Sequence, residues 1–190
     1  MKRLTILTFS LLSAAMLTPS RMHSQEFSVA AGIYDFTDIT TREFYLLAPT
    51  FSVGADVWNW SRLAVHLSTG LSFTSVKYNS HRHYFYMVPL SVTVCYDLAD
   101  PRSKVFPSAG MGLCIAGKAD RNSDFDKTHY SFTYGYIATG GIRYRPGKKI
   151  IFTLDLSYSL MMPPAMEELN LSGVTVMAGA RFPLRPGKKE

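Results

Sequence analysis

From residue 63 onward the chain repeatedly alternates a bulky apolar side chain with a small one, and the cores of four such runs carry no charge on either face. Odd positions of 63–75 read Leu63, Val65, Leu67, Thr69, Leu71, Phe73, Ser75, while even positions read Ala64, His66, Ser68, Gly70, Ser72, Thr74. Tyr84, Tyr86, Val88, Leu90, Val92, Val94 and Tyr96 then alternate with Phe85, Met87, Pro89, Ser91, Thr93, Cys95 and Asp97. The pattern recurs over 105–116, 130–144 and 150–160. A strict period of two means extended strands with one face on each side of a sheet. With weaker segments at 26–35, 45–57 and 171–182 the reading is eight strands. No stretch between them shows a helical period or caps, so the expected class is all-β.

What the faces are made of decides the kind of sheet. Segments 63–75, 84–96, 105–117 and 130–142 contain no Lys, Arg, Asp or Glu. A water-facing exterior carries roughly 25–35% charged residues. One face here is Ser, Thr, Gly and Ala, suited to the crowded interior of an eight-stranded barrel. The bulky face must then point outward, where lipid alone tolerates it. Tyr84, Tyr96, Tyr130, Tyr144 and Tyr158 are expected to form interfacial girdles. Connections near 58–62, 98–104 and 145–149 read as short turns. Those near 36–44, 76–83, 118–129 and 161–170 read as longer loops, the alternation of an antiparallel up-and-down transmembrane barrel. A repeated hairpin foot, Gly-Ile-Arg-Tyr into Arg-Pro-Gly-Lys-Lys at 141–149 and Gly-Ala-Arg-Phe into the same run by 189, suits a meander. The competing architecture is a soluble, lipocalin-like periplasmic carrier, which the uncharged strands disfavour.

The amino terminus has a basic start, Met1-Lys2-Arg3, and an apolar run from Leu4 to Leu17 too short to span a bilayer. It is expected to be a cleaved signal peptide over 1–24, cut between Ser24 and Gln25, with cuts after Ala15 or Ser20 as alternatives. The barrel then occupies 25–184 and a basic tail 185–190. Removing Lys2, Arg3 and Arg21 lowers the net charge from +6 to +3. With no basic–aromatic face either, nucleic acid is not expected as a partner.

The signal segment leads into Gln25-Glu26-Phe27-Ser28-Val29-Ala30-Ala31-Gly32. A Leu-x-x-Gly-x-x-Phe strand follows at 67–73, and Val174-Thr175-Val176-Met177-Ala178-Gly179-Ala180-Arg181-Phe182 closes the barrel. On these segments the chain resembles the small outer-membrane β-barrel proteins of PorT-like type, related in architecture to OmpA and OmpX. The resemblance implies the outer membrane of a Gram-negative bacterium, contact with outer-membrane lipid and lipopolysaccharide, delivery by the barrel-insertion machinery, and a monomer. It implies no shared activity. Barrels of this type often end at a terminal aromatic; here Pro183 to Glu190 follow Phe182. The expected role is structural or surface interaction through loops 36–44, 118–129 and 161–170, with an extracellular or periplasmic protein as partner.

Candidate chemistry is sparse. His66 and Ser68 are neighbours on one strand face, like a His-x-Ser element found in outer-membrane lipid A deacylases, but no acid is identifiable to orient the histidine. A hydrogen-bonding role inside the lumen is therefore expected, not catalysis. Asp56, Asp97, Arg143, Asp155 and Arg181 fall on the inner phase of their strands and should pair into a network plugging the lumen. A conducting pore is disfavoured by the narrow bore. His81-Arg82-His83 reads as ordinary loop polarity, not a metal site. No phosphate loop or paired metal ligands occur, so no cofactor is expected. A hairpin centred near Pro101 would set Cys95 near Pro107 and leave Cys114 about seven residues away, roughly 20 Å. Both cysteines are expected free and inward-facing.

Overall fold

In a computed structural model, eight strands hydrogen-bond in sequence order and the last closes on the first. They are β1 (Glu26–Phe36), β2 (Leu47–Trp60), β3 (Leu63–Tyr78), β4 (His81–Asp97), β5 (Val105–Asn122), β6 (Thr128–Tyr144), β7 (Ile151–Met162) and β8 (Gly173–Pro183). The structure describes residues 26–78, 81–100, 103–122, 128–147, 149–162 and 170–183. The expected signal peptide and the tail 185–190 lie outside these. Every pairing is antiparallel. Closure runs from Glu26 opposite Pro183 to Phe36 opposite Gly173, so no strand edge is left open.

The alternation sorts as its chemistry requires. Outward positions include Phe51, Val92, Leu113, Tyr134, Phe132, Leu154 and Leu160, and Met111 is 73% exposed. A continuous apolar exterior of this extent has no counterpart on a water-soluble monomer, whose apolar patches stay within several hundred Å². Inward positions are small hydroxyl residues over most of the lumen: Thr50, Ser72, Ser91, Thr93, Ser108, Thr133, Thr153, Ser157 and Thr175 are all buried. Hydroxyls satisfy one another there, as in Ser68 to Ser91 at 2.7 Å and Thr50 to Ser72 at 2.6 Å.

A register shift between Asp56 and Trp58 marks a β-bulge in β2. Without the extra residue, Asp56 and Trp58 would point to the same side. With it, Asp56 is buried in the lumen while Trp58 and Trp60 face out at the strand's end. Trp58-Asn59-Trp60, expected in a turn, is therefore strand.

Three further expectations are corrected. The loop at 36–44 contains a helix, α1 (Ile39–Tyr45). Asp38 caps it, its carboxylate accepting from the Thr41 backbone N–H at 2.9 Å and the Thr41 hydroxyl at 2.8 Å. The loop at 76–83 is mostly strand: His81, Arg82 and His83 lie opposite Tyr78, Lys77 and Val76, so the histidine pair belongs to a long hairpin. The β4–β5 connection is also wider than a turn centred on Pro101, because the Leu98 N–H donates to the Pro107 carbonyl. Cys95 consequently faces Gly110, and Cys114 faces Ser91. Cys114 is four positions beyond the partner of Cys95, roughly 13 Å. Both thiols are buried and free, out of disulfide reach of each other.

Candidate functional site

Among the described residues the lumen concentrates the polar chemistry, and its two ends differ. At the end holding both termini of the barrel, Asp56 on β2 accepts from two neighbours. His66 Nδ1 on β3 lies 2.7 Å from its Oδ1. Arg181 Nη1 on β8 lies 3.2 and 3.3 Å from its two oxygens. Side chains from two other strands thus converge on one carboxylate. Beside them Arg143 on β6 donates to Asp97 on β4 at 2.8 Å. Glu26 on β1 is buried at the same end, with Arg145 at 3.9 Å. Arg143 and Arg145 both lie over the Phe106 ring, at 5.9 and 5.5 Å, which covers their apolar faces.

Of the seven lumen residues expected from the sequence, Asp56, His66 and Arg181 form one cluster, and Asp97 with Arg143 a second. Ser68 bonds Ser91 and not His66. Asp155 lines the adjoining cavity with Arg181 and Arg143. The acid expected to be missing beside His66 is present: it is Asp56, brought opposite His66 by the β2–β3 register. Sequence reasoning placed both residues inside but had no register with which to join them. It also passed over Glu26 and Lys118, buried charges that sit just outside the uncharged strand cores.

Above the charges, the lumen opens into a cavity of about 80 Å³ lined by hydroxyls, His66, Arg143, Asp155 and Arg181. That is room for several waters. The Arg143 Nε has no protein partner among the described residues. A second cavity of about 70 Å³ continues upward past Ser68, Ser91 and Ser157 toward Tyr34 and Met87.

The far end is closed by rings. Tyr34 and Phe36 from β1, Phe85 from β4 and Tyr45 from α1 pack at centroid distances of 4.5 to 6.1 Å. Met87, Cys114, Ala116, Met161 and Leu171 complete the cluster. Tyr45 also donates to Asp120 on β5 at 2.6 Å, tying α1 to the barrel wall. Burial, reinforced by that carboxylate, pushes the Tyr45 phenol above its usual range.

The arrangement suits holding a shape more than performing a reaction. His66 is engaged by Asp56 on its Nδ1, Ser68 is engaged elsewhere, and both face a closed lumen instead of the lipid side. No cluster of three or more metal-ligating side chains occurs among the described residues.

No family model matches the chain, and neither does any curated protein. Solved structures do match. The N-terminal β-barrel domain of Pseudomonas aeruginosa OprF is 15% identical, covers 86% of this chain and 98% of its own, and superposes with a TM-score of 0.62. Neisserial surface protein A is 14% identical over 84% of this chain and 96% of its own, with a TM-score of 0.62. The outer membrane protein OprG from Pseudomonas aeruginosa is 10% identical over 87% of this chain and 98% of its own, also at 0.62. At such identities the likeness shows the fold, which is that of the small outer-membrane barrels.

Proposed function

We propose that this chain is a non-enzymatic, integral outer-membrane barrel of PorT-like type in a Gram-negative envelope, acting as a structural or surface-interaction protein. One observation carries the reading: an uninterrupted apolar exterior surrounds a lumen filled from both ends, so the working surface is the rim and not the bore. The short connections and both barrel termini lie at the ionic end, which faces the periplasm in such barrels. The α1 end then faces outward. Lipopolysaccharide and lipid surround the wall, and a protein partner would meet the α1 end.

Cell fractionation tests it. The protein should be recovered in the outer-membrane fraction and migrate faster unheated than boiled on a denaturing gel. Recovery as a soluble protein without detergent would overturn the reading and favour a periplasmic carrier. An enzyme using His66 and Ser68 would need a free serine and a lipid-side opening. Ser68→Ala should therefore leave the lipid A mass profile of the cell unchanged.

A further inference from the structure

Four rings close the α1 end, but they are not held alike. Tyr34, Phe36 and Phe85 stand on β1 and β4, fixed by the strand ladder itself. Tyr45 stands on α1, a seven-residue helix outside the sheet. Thr37, Asp38 and Leu46 join α1 to β1 and β2. The wall is lower on that side: β1 and β8 have 11 residues each, against 16 to 18 in β3 to β6. The outer side of α1 is uncovered, with Ile39, Arg42 and Glu43 all exposed.

Two bonds from the wall meet on Tyr45. Its hydroxyl donates to Asp120 on β5 at 2.6 Å, and its carbonyl accepts from the Thr74 hydroxyl on β3 at 3.1 Å. The Arg42–Asp35 pair at 3.0 Å has its guanidinium 61% exposed, where such pairs hold little. Immediately after Tyr45, Leu46 takes φ 50°, a left-handed conformation that is costly for a bulky residue. The seat of α1 is thus held at one residue and strained at the next.

What lies beneath gives a motion of α1 its consequence. The cavity of about 70 Å³ under the rings shares Ser52, Ser68, Ser91 and Ser157 with the cavity of about 80 Å³ below it, so the two make one hydroxyl-lined column. Its floor is the ionic end. Cys114 borders the upper cavity and Cys95 the lower.

We infer that α1 is a lid: turning on its tethers, it withdraws Tyr45 and opens the lumen, from that end alone, to small water-soluble molecules. The result is a dead-ended compartment and not a pore, since the ionic end stays shut. The motion goes beyond the role proposed above and holds for either orientation of the barrel in a membrane.

The two native thiols report it at two depths. The full barrel, folded into phosphatidylcholine nanodiscs, is treated with 2-aminoethyl methanethiosulfonate, and modification of each cysteine is timed by peptide mass spectrometry. Cys114 should label first and Cys95 far more slowly. A thiol-reactive polyethylene glycol too bulky for the column should label neither. Labelling through a local opening scales with the open population. Tyr45→Phe removes a bond to a carboxylate and should speed Cys114 about tenfold; Thr74→Val removes a neutral bond and should speed it about threefold. Heat-modifiable migration checks separately that each variant is folded. Cys95 labelling first would put the opening at the ionic end. Equal rates at the two thiols, or labelling by the bulky reagent, would make the opening a whole-barrel unfolding. A Cys114 rate unmoved by both variants would leave α1 fixed. Each of these results overturns the lid.

Discussion

The two ends of the lumen are closed by opposite chemistries. At the end holding both barrel termini, carboxylates and guanidiniums from strands far apart in sequence converge, and Asp56 alone holds His66 and Arg181. At the α1 end, Tyr34, Phe36, Tyr45 and Phe85 interlock by ring packing, with a helix supplying one of the four rings. Ion pairs are directional and costly to leave half-made, so they fix which strands face which across the bore. Ring packing is less directional and accepts an inserted element such as α1. The first end therefore ties β2, β3 and β8 together across the bore, and the second seats α1 against the wall.

Substitutions can break this contrast. The largest effect should come from Asp56→Ala, which strands buried Arg181 and His66. A loss of about 3–5 kcal/mol is expected in urea unfolding of the barrel in lipid vesicles. A loss no larger than one hydroxyl pair would deny the ionic end its anchoring role. Phe85→Ala empties the centre of the ring cluster and should cost about 3 kcal/mol, accompanied by faster amide exchange in α1. If α1 exchange is unchanged, the rings do not hold the helix. Leu113→Arg, on the outward face of β5, touches neither end and should cost roughly 2–3 kcal/mol in a bilayer. The smallest effect should come from the Asp38 cap. Its carboxyl is held below the ordinary 3.8, first by the Thr41 backbone N–H and then by the Thr41 hydroxyl. The cap's contribution is thus complete above pH 3.8 and is lost as pH falls through the lower folded value. Thr41 amide exchange should accelerate severalfold over that acid range, and Asp38→Ala should abolish the pH step without altering the wall.

The wall was legible because lipid on one side and a narrow lumen on the other enforce alternation residue by residue. That is why Leu63 to Phe73 and Tyr84 to Tyr96 read as strands with the correct faces. The signal fades where the outward face of a strand turns polar while its inner face still packs, as at Val76 and Phe85. Lys77, Arg82 and Arg121 lie on hairpin extensions above the band, and their polar sequences look like loops. Lumen positions could likewise be assigned a side but not a neighbour. Joining Asp56 to His66 needs the β2–β3 register, which the bulge after Asp56 shifts by one residue. Cys95 was misaligned for a related reason: Pro101 signals a turn but not its width. α1 gave no periodic signal because seven residues make barely two turns. Tyr45, its apolar anchor among the described side chains, acts through tertiary contacts with Phe36 and Phe85. Tyr158, expected at a strand end, sits well inside β7, showing that aromatics also face the middle of the wall.

The lipid-facing wall can be probed without altering the protein, because its two tryptophans, Trp58 and Trp60, both point outward beside the bulge. Their fluorescence should be measured in vesicles of lipids brominated at different acyl depths, with aqueous acrylamide as the opposing quencher. The expected result is strong quenching by bromines near the headgroup, weaker quenching by bromines at the bilayer centre, and poor access for acrylamide. Full acrylamide quenching with no response to any brominated lipid would contradict a lipid-facing barrel.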